Sequence, residues 1–180
     1  MHHDHFGKPL SLEQLLLGCE KALANARDLV VEAELLHANQ HWARVIFLAQ
    51  IAGEEMGKFF MLASAYVDSV ADATKVNWKT FWRRLTSHQE KLKLITMMED
   101  LALTDDADKD SYLAALRSQV ADLEAMKQRS LYSDVTEGGF YAPKELFPEK
   151  MASDALHWAQ GRLKLMTHVD EVVRFAAPIM

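Results

Sequence analysis

"WARVIFLAQIAGEEMGKFFMLASAYV", residues 42–67, decides the fold. Its only charged residues are Arg44, Glu54, Glu55 and Lys58, and large apolar side chains lie on every side of the helix it predicts. A helix that is apolar all round belongs at the centre of its fold. At about 100° per residue, Glu54 and Lys58 share a stripe with Phe47, Ile51 and Met61, so they are not a freely solvated pair. Their i,i+4 spacing is worth only about 0.2–0.5 kcal/mol on an exposed helix. Burying charge is costly unless it is paired, so Glu55 also calls for a basic partner from elsewhere in the bundle. Two readings stand side by side: an ion pair bridging helices, or a polar cleft or subunit interface that orients another group.

Working outward, the pattern predicts helices on both sides. Ser11 and Gln14 in "SLEQ" form a capping box. Leu12, Leu15, Leu16, Cys19, Leu23, Ala26, Val30 and Ala33 follow at spacings of three and four, which predicts a helix to about Leu36. After a break near "HANQ", the central helix covers about residues 41–70. Asn77 can cap the short helix "WKTFWRRL", and Ser87 with Glu90 opens another running to about Leu103. The acidic turn "TDDADKD" precedes a helix from about Asp110 to Arg129. Gly138, Gly139, Pro143 and Pro148 then predict an aromatic-rich ordered loop near residues 130–148, and Ser153 is expected to cap a last helix ending near Ala177. The expected fold class is all-α: one domain over residues 11–180, a bundle of four to five main helices, behind a flexible N-terminus of residues 1–10.

Composition agrees. The 180 residues are 49% hydrophobic and 26% charged, ordinary for a folded domain, and 7 Gly with 4 Pro are too few for a turn-rich β protein. A net charge of −6 argues against nonspecific coating of nucleic acid or membrane, while leaving room for a local basic patch such as one built at a dimer interface; no DNA partner is expected. No apolar run reaches the ~18 residues of a membrane span. The single cysteine, Cys19, forms no internal disulfide and fits a reducing cytoplasm; its place in a helical pattern marks it as packing. His2, His3 and His5 sit at a terminus that rarely builds a site.

Three constellations could carry chemistry. The first is Glu54, Glu55 and Lys58. The second, "FWRRLTSHQEK", holds Arg83, Arg84, His88 and Lys91. A guanidinium offers a planar fork to phosphate oxygens, and an imidazole can take or deliver a proton near neutrality. That combination suits phosphodiester cleavage with a ribose 2′-OH as nucleophile and no metal. Two solvated arginines and a histidine beside an N-cap are the ordinary alternative. The third is "KQRSLYSD", where Lys127, Tyr132 and Asp134 read chiefly as contacts that dock the loop. A rival reading is a di-iron bundle: Glu34 and His37 have Glu-x-x-His spacing and Asp154 with His157 is a near match, but a clean second inward Glu is lacking. No metal and no cofactor is therefore expected, and no zinc array, phosphate loop or Ser/His/Asp nucleophile is present.

"AGEEMGKFF", "WRRLTSHQEKL" and "KQRSLYSDV", in this order, resemble the AbiV abortive-infection family of the HEPN superfamily, over roughly residues 11–175. The resemblance implies a HEPN-like helical bundle and a role in antiphage defence by growth or translation arrest. Many HEPN proteins are metal-independent ribonucleases with an arginine and a histidine separated by four to six residues, often assembled across a homodimer. Arg83 and His88 match that spacing, with Arg84 where the family usually has a polar residue; the motif lies ahead of the third long helix, earlier than in many members. RNA, the translation machinery or a phage protein is the implied partner. On this reading Glu54 or Glu55 orients Arg83, Arg84 or His88, and Lys58 balances the remaining carboxylate. A non-catalytic protein that captures a phage or ribosomal partner is the alternative.

Overall fold

The computed structural model describes residues 7–100, 109–136 and 138–175. The elements are α1 (Leu12–Ala38), α2 (Trp42–Ala71), α3 (Trp78–Leu85), α4 (His88–Asp100) and α5 (Lys109–Leu131), then β1 (Asp134–Thr136), β2 (Gly139–Tyr141), α6 (Pro143–Leu146) and α7 (Glu149–Phe175). The fold is all-α, as expected, and its organiser is α2. That helix touches every other helix described, so its apolar circumference has a partner on each side.

Local chemistry sets the boundaries. The Ser11 hydroxyl accepts from the Gln14 N–H at 3.2 Å, and the Gln14 side chain accepts from the Ser11 N–H at 2.9 Å. α1 stops where Gln40 takes a left-handed φ of 61°, and the His41 N–H turns back to the Leu36 carbonyl at 2.9 Å. That tight reversal lays α2 antiparallel-wise back along α1. Buried Leu15, Cys19, Leu23, Ala26 and Val30 of α1 join Val45, Ile46, Ala49, Met56 and Phe59 of α2 in one core. Cys19 is fully buried, and burial, with the nearby charge of Asp170, pushes its thiol up to about 12. At neutral pH it is a thiol that packs, not a nucleophile.

Two expectations need correction, and the ordered loop gains detail. Ser153 does not cap the last helix. α7 begins four residues earlier, at Glu149 behind Pro148, and the Ser153 hydroxyl instead meets His37 Nε2 at 2.8 Å. The Ser87/Glu90 box is half made: Ser87 Oγ accepts from the Glu90 N–H at 3.3 Å, but the Glu90 carboxylate goes to Arg84. The loop near residues 130–148 holds regular structure, a hairpin pairing Asp134 with Tyr141 and the single turn α6. Ahead of α1, the Lys8 carbonyl accepts from Trp82 Nε1 at 2.8 Å and Leu10 packs on the core. His2, His3, His5, residues 104–108 of the expected acidic turn and the helix ends expected near Leu103 and Ala177 lie outside the described residues, while Lys109 and Asp110 of that turn open α5. Among those described, no helix is long and apolar enough to cross a membrane.

Candidate functional site: a buried carboxylate among three basic groups

Two glycines prepare the site. Gly53 and Gly57 lie on α2 where neighbours come too close for a side chain. A Cβ on Gly57 would stand 2.3 Å from the Lys91 carbonyl oxygen of α4, and one on Gly53 would stand 2.6 Å from the Trp158 ring of α7. A helix-interior glycine costs about 1 kcal/mol against alanine, so close packing is its compensation. At Gly57 that packing carries Lys91 to Glu54. Gly57→Ala should therefore destabilise the fold by about 3 kcal/mol, the upper end for overpacking, because backbone cannot swing aside as a side chain can. Gly53→Ala, which meets only a ring tip, should cost less. Urea midpoints of the two variants test the order.

Between these glycines, Glu54 is 3% exposed. Its Oε1 accepts from Lys127 Nζ of α5 at 2.7 Å. Its Oε2 meets His88 Nδ1 at the first residue of α4, and Lys91 Nζ lies 3.7 Å away. Lys127 is shared with Glu124 Oε2, also at 2.7 Å. Three helices thus contribute to one cluster. Burial pushes the Glu54 carboxyl up, but hydrogen bonds from Lys127 and His88 outweigh it and hold the pKa below the ordinary glutamate value. Burial alone would lower Lys127, yet its bonds to Glu124 and Glu54 raise it. Lys91, whose ammonium lies 3.7 Å from Glu54, goes the other way: burial lowers it, and Glu54 only partly compensates.

The sign for stability follows. Because the Glu54 pKa is lower folded than unfolded, the unfolded chain binds more protons as pH falls. The contribution of Glu54 is complete above the unfolded value near 4.5 and is lost as pH drops through the depressed folded value. Urea midpoints should fall below about pH 4.5, and Glu54→Gln should flatten that part of the profile.

A family model described as AbiV, a HEPN family, matches residues 14–164. The chain belongs to the AbiV family. No curated protein and no solved structure matches it. Membership in AbiV suggests an abortive-infection, antiphage role.

Within this AbiV chain the two arginines part company with His88. α3 ends at Leu85 and α4 starts at His88, with Thr86 capping between, so Arg84 and His88 do not stack one turn apart on a continuous helix. Arg84 Nε pairs with Glu90 at 3.1 Å. Arg83 is exposed and has no ion-pair partner among the described residues. Glu55 turns to Lys58 on its own helix, an i,i+3 pair, so Lys58 balances Glu55 rather than Glu54. The Lys58 and Glu55 side chains are 31% and 13% exposed against 3% for Glu54, so Glu55→Gln should lower the urea midpoint less than Glu54→Ala does.

Lys127, grouped by sequence with the loop, faces away from it into the cluster. Tyr132 is 60% exposed, and the Asp134 side chain accepts from the adjacent Val135 N–H. Sequence reading missed Glu124. The signal was its i,i+3 spacing from Lys127. The residues of the rival metal reading have other partners: Glu34 accepts from Gln160 at 2.7 Å, His37 holds Ser153 and stands edge-on to Trp42, and Asp154 pairs with Lys150. Among the described residues, no three His, Cys, Asp or Glu gather in a way that could hold a metal ion.

Proposed function

We propose that this AbiV protein arrests infected cells by cutting RNA without a metal, with His88 as the proton-transfer group and Glu54 as the residue that positions it. One observation carries this reading. Glu54, fixed by Lys127 and Lys91, meets His88 Nδ1, while the His88 side chain keeps 62% of its surface exposed. A carboxylate held ionised only accepts, so it selects the imidazole tautomer with hydrogen on Nδ1. Nε2 is then the basic nitrogen, on a side chain that is 62% exposed.

The chemistry balances as transesterification. Nε2 takes the proton of a ribose 2′-OH, the 2′ oxygen attacks the adjacent phosphorus, and the bond to the 5′ oxygen breaks. The leaving oxygen is protonated by a second acid, which a homodimer would supply as the His88 of the other copy. Products carry a 2′,3′-cyclic phosphate and a 5′-OH. Exposed Arg83 can offer its fork to the phosphate as charge develops, an interaction worth about 3–4 kcal/mol when the site closes over it.

The test is cleavage of total RNA by purified protein in EDTA, with end-group analysis, alongside RNA sequencing of arrested cells. Cyclic phosphate ends support the nuclease. An intact RNA pool during arrest would favour a second reading, a non-catalytic binder of a phage or ribosomal partner. That reading has its own support: the hairpin pairs Val135 with Phe140, 60% and 84% exposed, as an apolar patch at the surface.

A further inference from the structure

One helical turn along α2 from Glu54, the interior opens into a cleft of about 300 Å³ between α2, α4, α5 and α7. That volume is at the lower end for small-molecule sites. Its walls are mainly apolar, with Leu92, Leu123, Met126, Ala155 and Trp158 among them. Four polar or charged residues, Gln50, Thr96, Gln119 and Asp154, also line it, and the first two are 4% and 2% exposed. Gln50 Oε1 and Thr96 Oγ1 are buried without a hydrogen-bond partner among the described residues. Each such atom costs about 1–3 kcal/mol, and buried polar groups are overwhelmingly satisfied in folded proteins. Two of them in the wall of one apolar cleft mark a place where hydrogen bonds are meant to be completed by something else.

We propose that this cleft binds a neutral, mostly apolar, ring-sized molecule bearing an N–H or O–H donor. The carbonyl of Gln50 accepts and so demands a donor, while the hydroxyl of Thr96 can serve either way. Neutrality follows from the lining. Among the described residues it holds no lysine or arginine to receive an anion, and its one carboxylate, Asp154, is already paired with Lys150 at 2.7 Å. The site shares its helices with the ionic cluster. Gln50 precedes Glu54 by one turn, Leu123 precedes Lys127 by one turn, and Leu92 adjoins Lys91. Occupancy should therefore be felt at His88.

The experiment titrates the intact protein, without RNA, with indole, phenol and 2-quinolone by calorimetry, following His88 by NMR. Its outcome is thus independent of the cleavage reading. At least one of the three should bind saturably at one per chain and shift the His88 ring signals. Naphthalene, which has no donor, should bind about tenfold more weakly than 2-quinolone, the equivalent of one hydrogen bond. Gln50→Leu should remove that preference, and Ala155→Leu, which fills the cleft, should abolish binding. If Ala155→Leu does not fold, Leu123→Phe fills the same space from α5. Absence of saturable binding by all three probes, equal affinity for naphthalene, or unchanged binding in the filled variant would overturn the proposal.

Discussion

His88→Ala should lower RNA cleavage by about 10²–10⁴-fold, the usual loss when a positioned acid–base group is removed, and should free cells from arrest. Its effect on the unfolding midpoint should be small. The side chain is 62% exposed, so little apolar area returns to water when it is cut back. Glu54 keeps Lys127 at 2.7 Å and Lys91 at 3.7 Å, so its charge stays compensated. The two measurements separate the roles: parallel loss of activity and midpoint would make His88 structural, whereas full activity without it would end the nuclease reading. Raising external imidazole with the variant adds a third readout, since recovered cleavage reports missing proton transfer and not a missing contact.

Glu54→Ala should have the largest effect on folding, about 3–5 kcal/mol. The cost does not come from a strong bond lost. It comes from Lys91 and Lys127, 6% and 5% exposed, left in the interior with fewer negative partners. Lys127 would still have Glu124 at 2.7 Å, but Lys91 would have no ion-pair partner left among the described residues. Against a typical stability of about 5–15 kcal/mol, that loss is enough to leave a large unfolded fraction at growth temperature. Adding Lys91→Met to Glu54→Ala should recover part of it, because an apolar chain of similar length removes the orphaned charge. A wild-type urea midpoint for Glu54→Ala alone would mean that the carboxylate is hydrated and the cluster is not buried. Glu54→Gln is the milder probe of positioning: it keeps the volume but can present an N–H where His88 needs an acceptor, so activity should fall further than stability.

The contrast between Glu54 and Glu55 shows where one-dimensional reading stops. Both are adjacent carboxylates on the same helix, and helical geometry alone offers Lys58 to either. What separates them is which side of α2 faces α4 and α5. Glu54 points between those helices and is 3% exposed; Glu55 points to the flank and takes Lys58. The assignment of Lys127 to the loop went astray for the same reason. It is only a few residues from Tyr132 in sequence, but the last turns of α5 rotate it inward, away from the hairpin. Ser153 failed as a cap because an N-cap signal inside a longer amphipathic run is overridden once Pro148 offers an earlier start.

Local and periodic features were legible in the chain itself: the helices, the caps at Ser11 and Asn77, the centrality of residues 42–67 and the membership that three ordered motifs implied. These depend on neighbours within four residues or on a repeat of 3.6, which sequence carries directly. The pairing of Glu54 with His88, Lys91 and Lys127 depended on three helices separated by up to 73 residues meeting at one height. Only tertiary packing, permitted at Gly53 and Gly57 by the missing side chains, fixed that height and so chose which charges became a site.

The physical claim beneath these expectations is that a desolvated anion must be matched by cations from other helices, and that this matching holds an imidazole at the surface. A Glu54 carboxyl that titrates like a free glutamate, followed by carbon-detected NMR, would mean that the cations around it do not hold its charge.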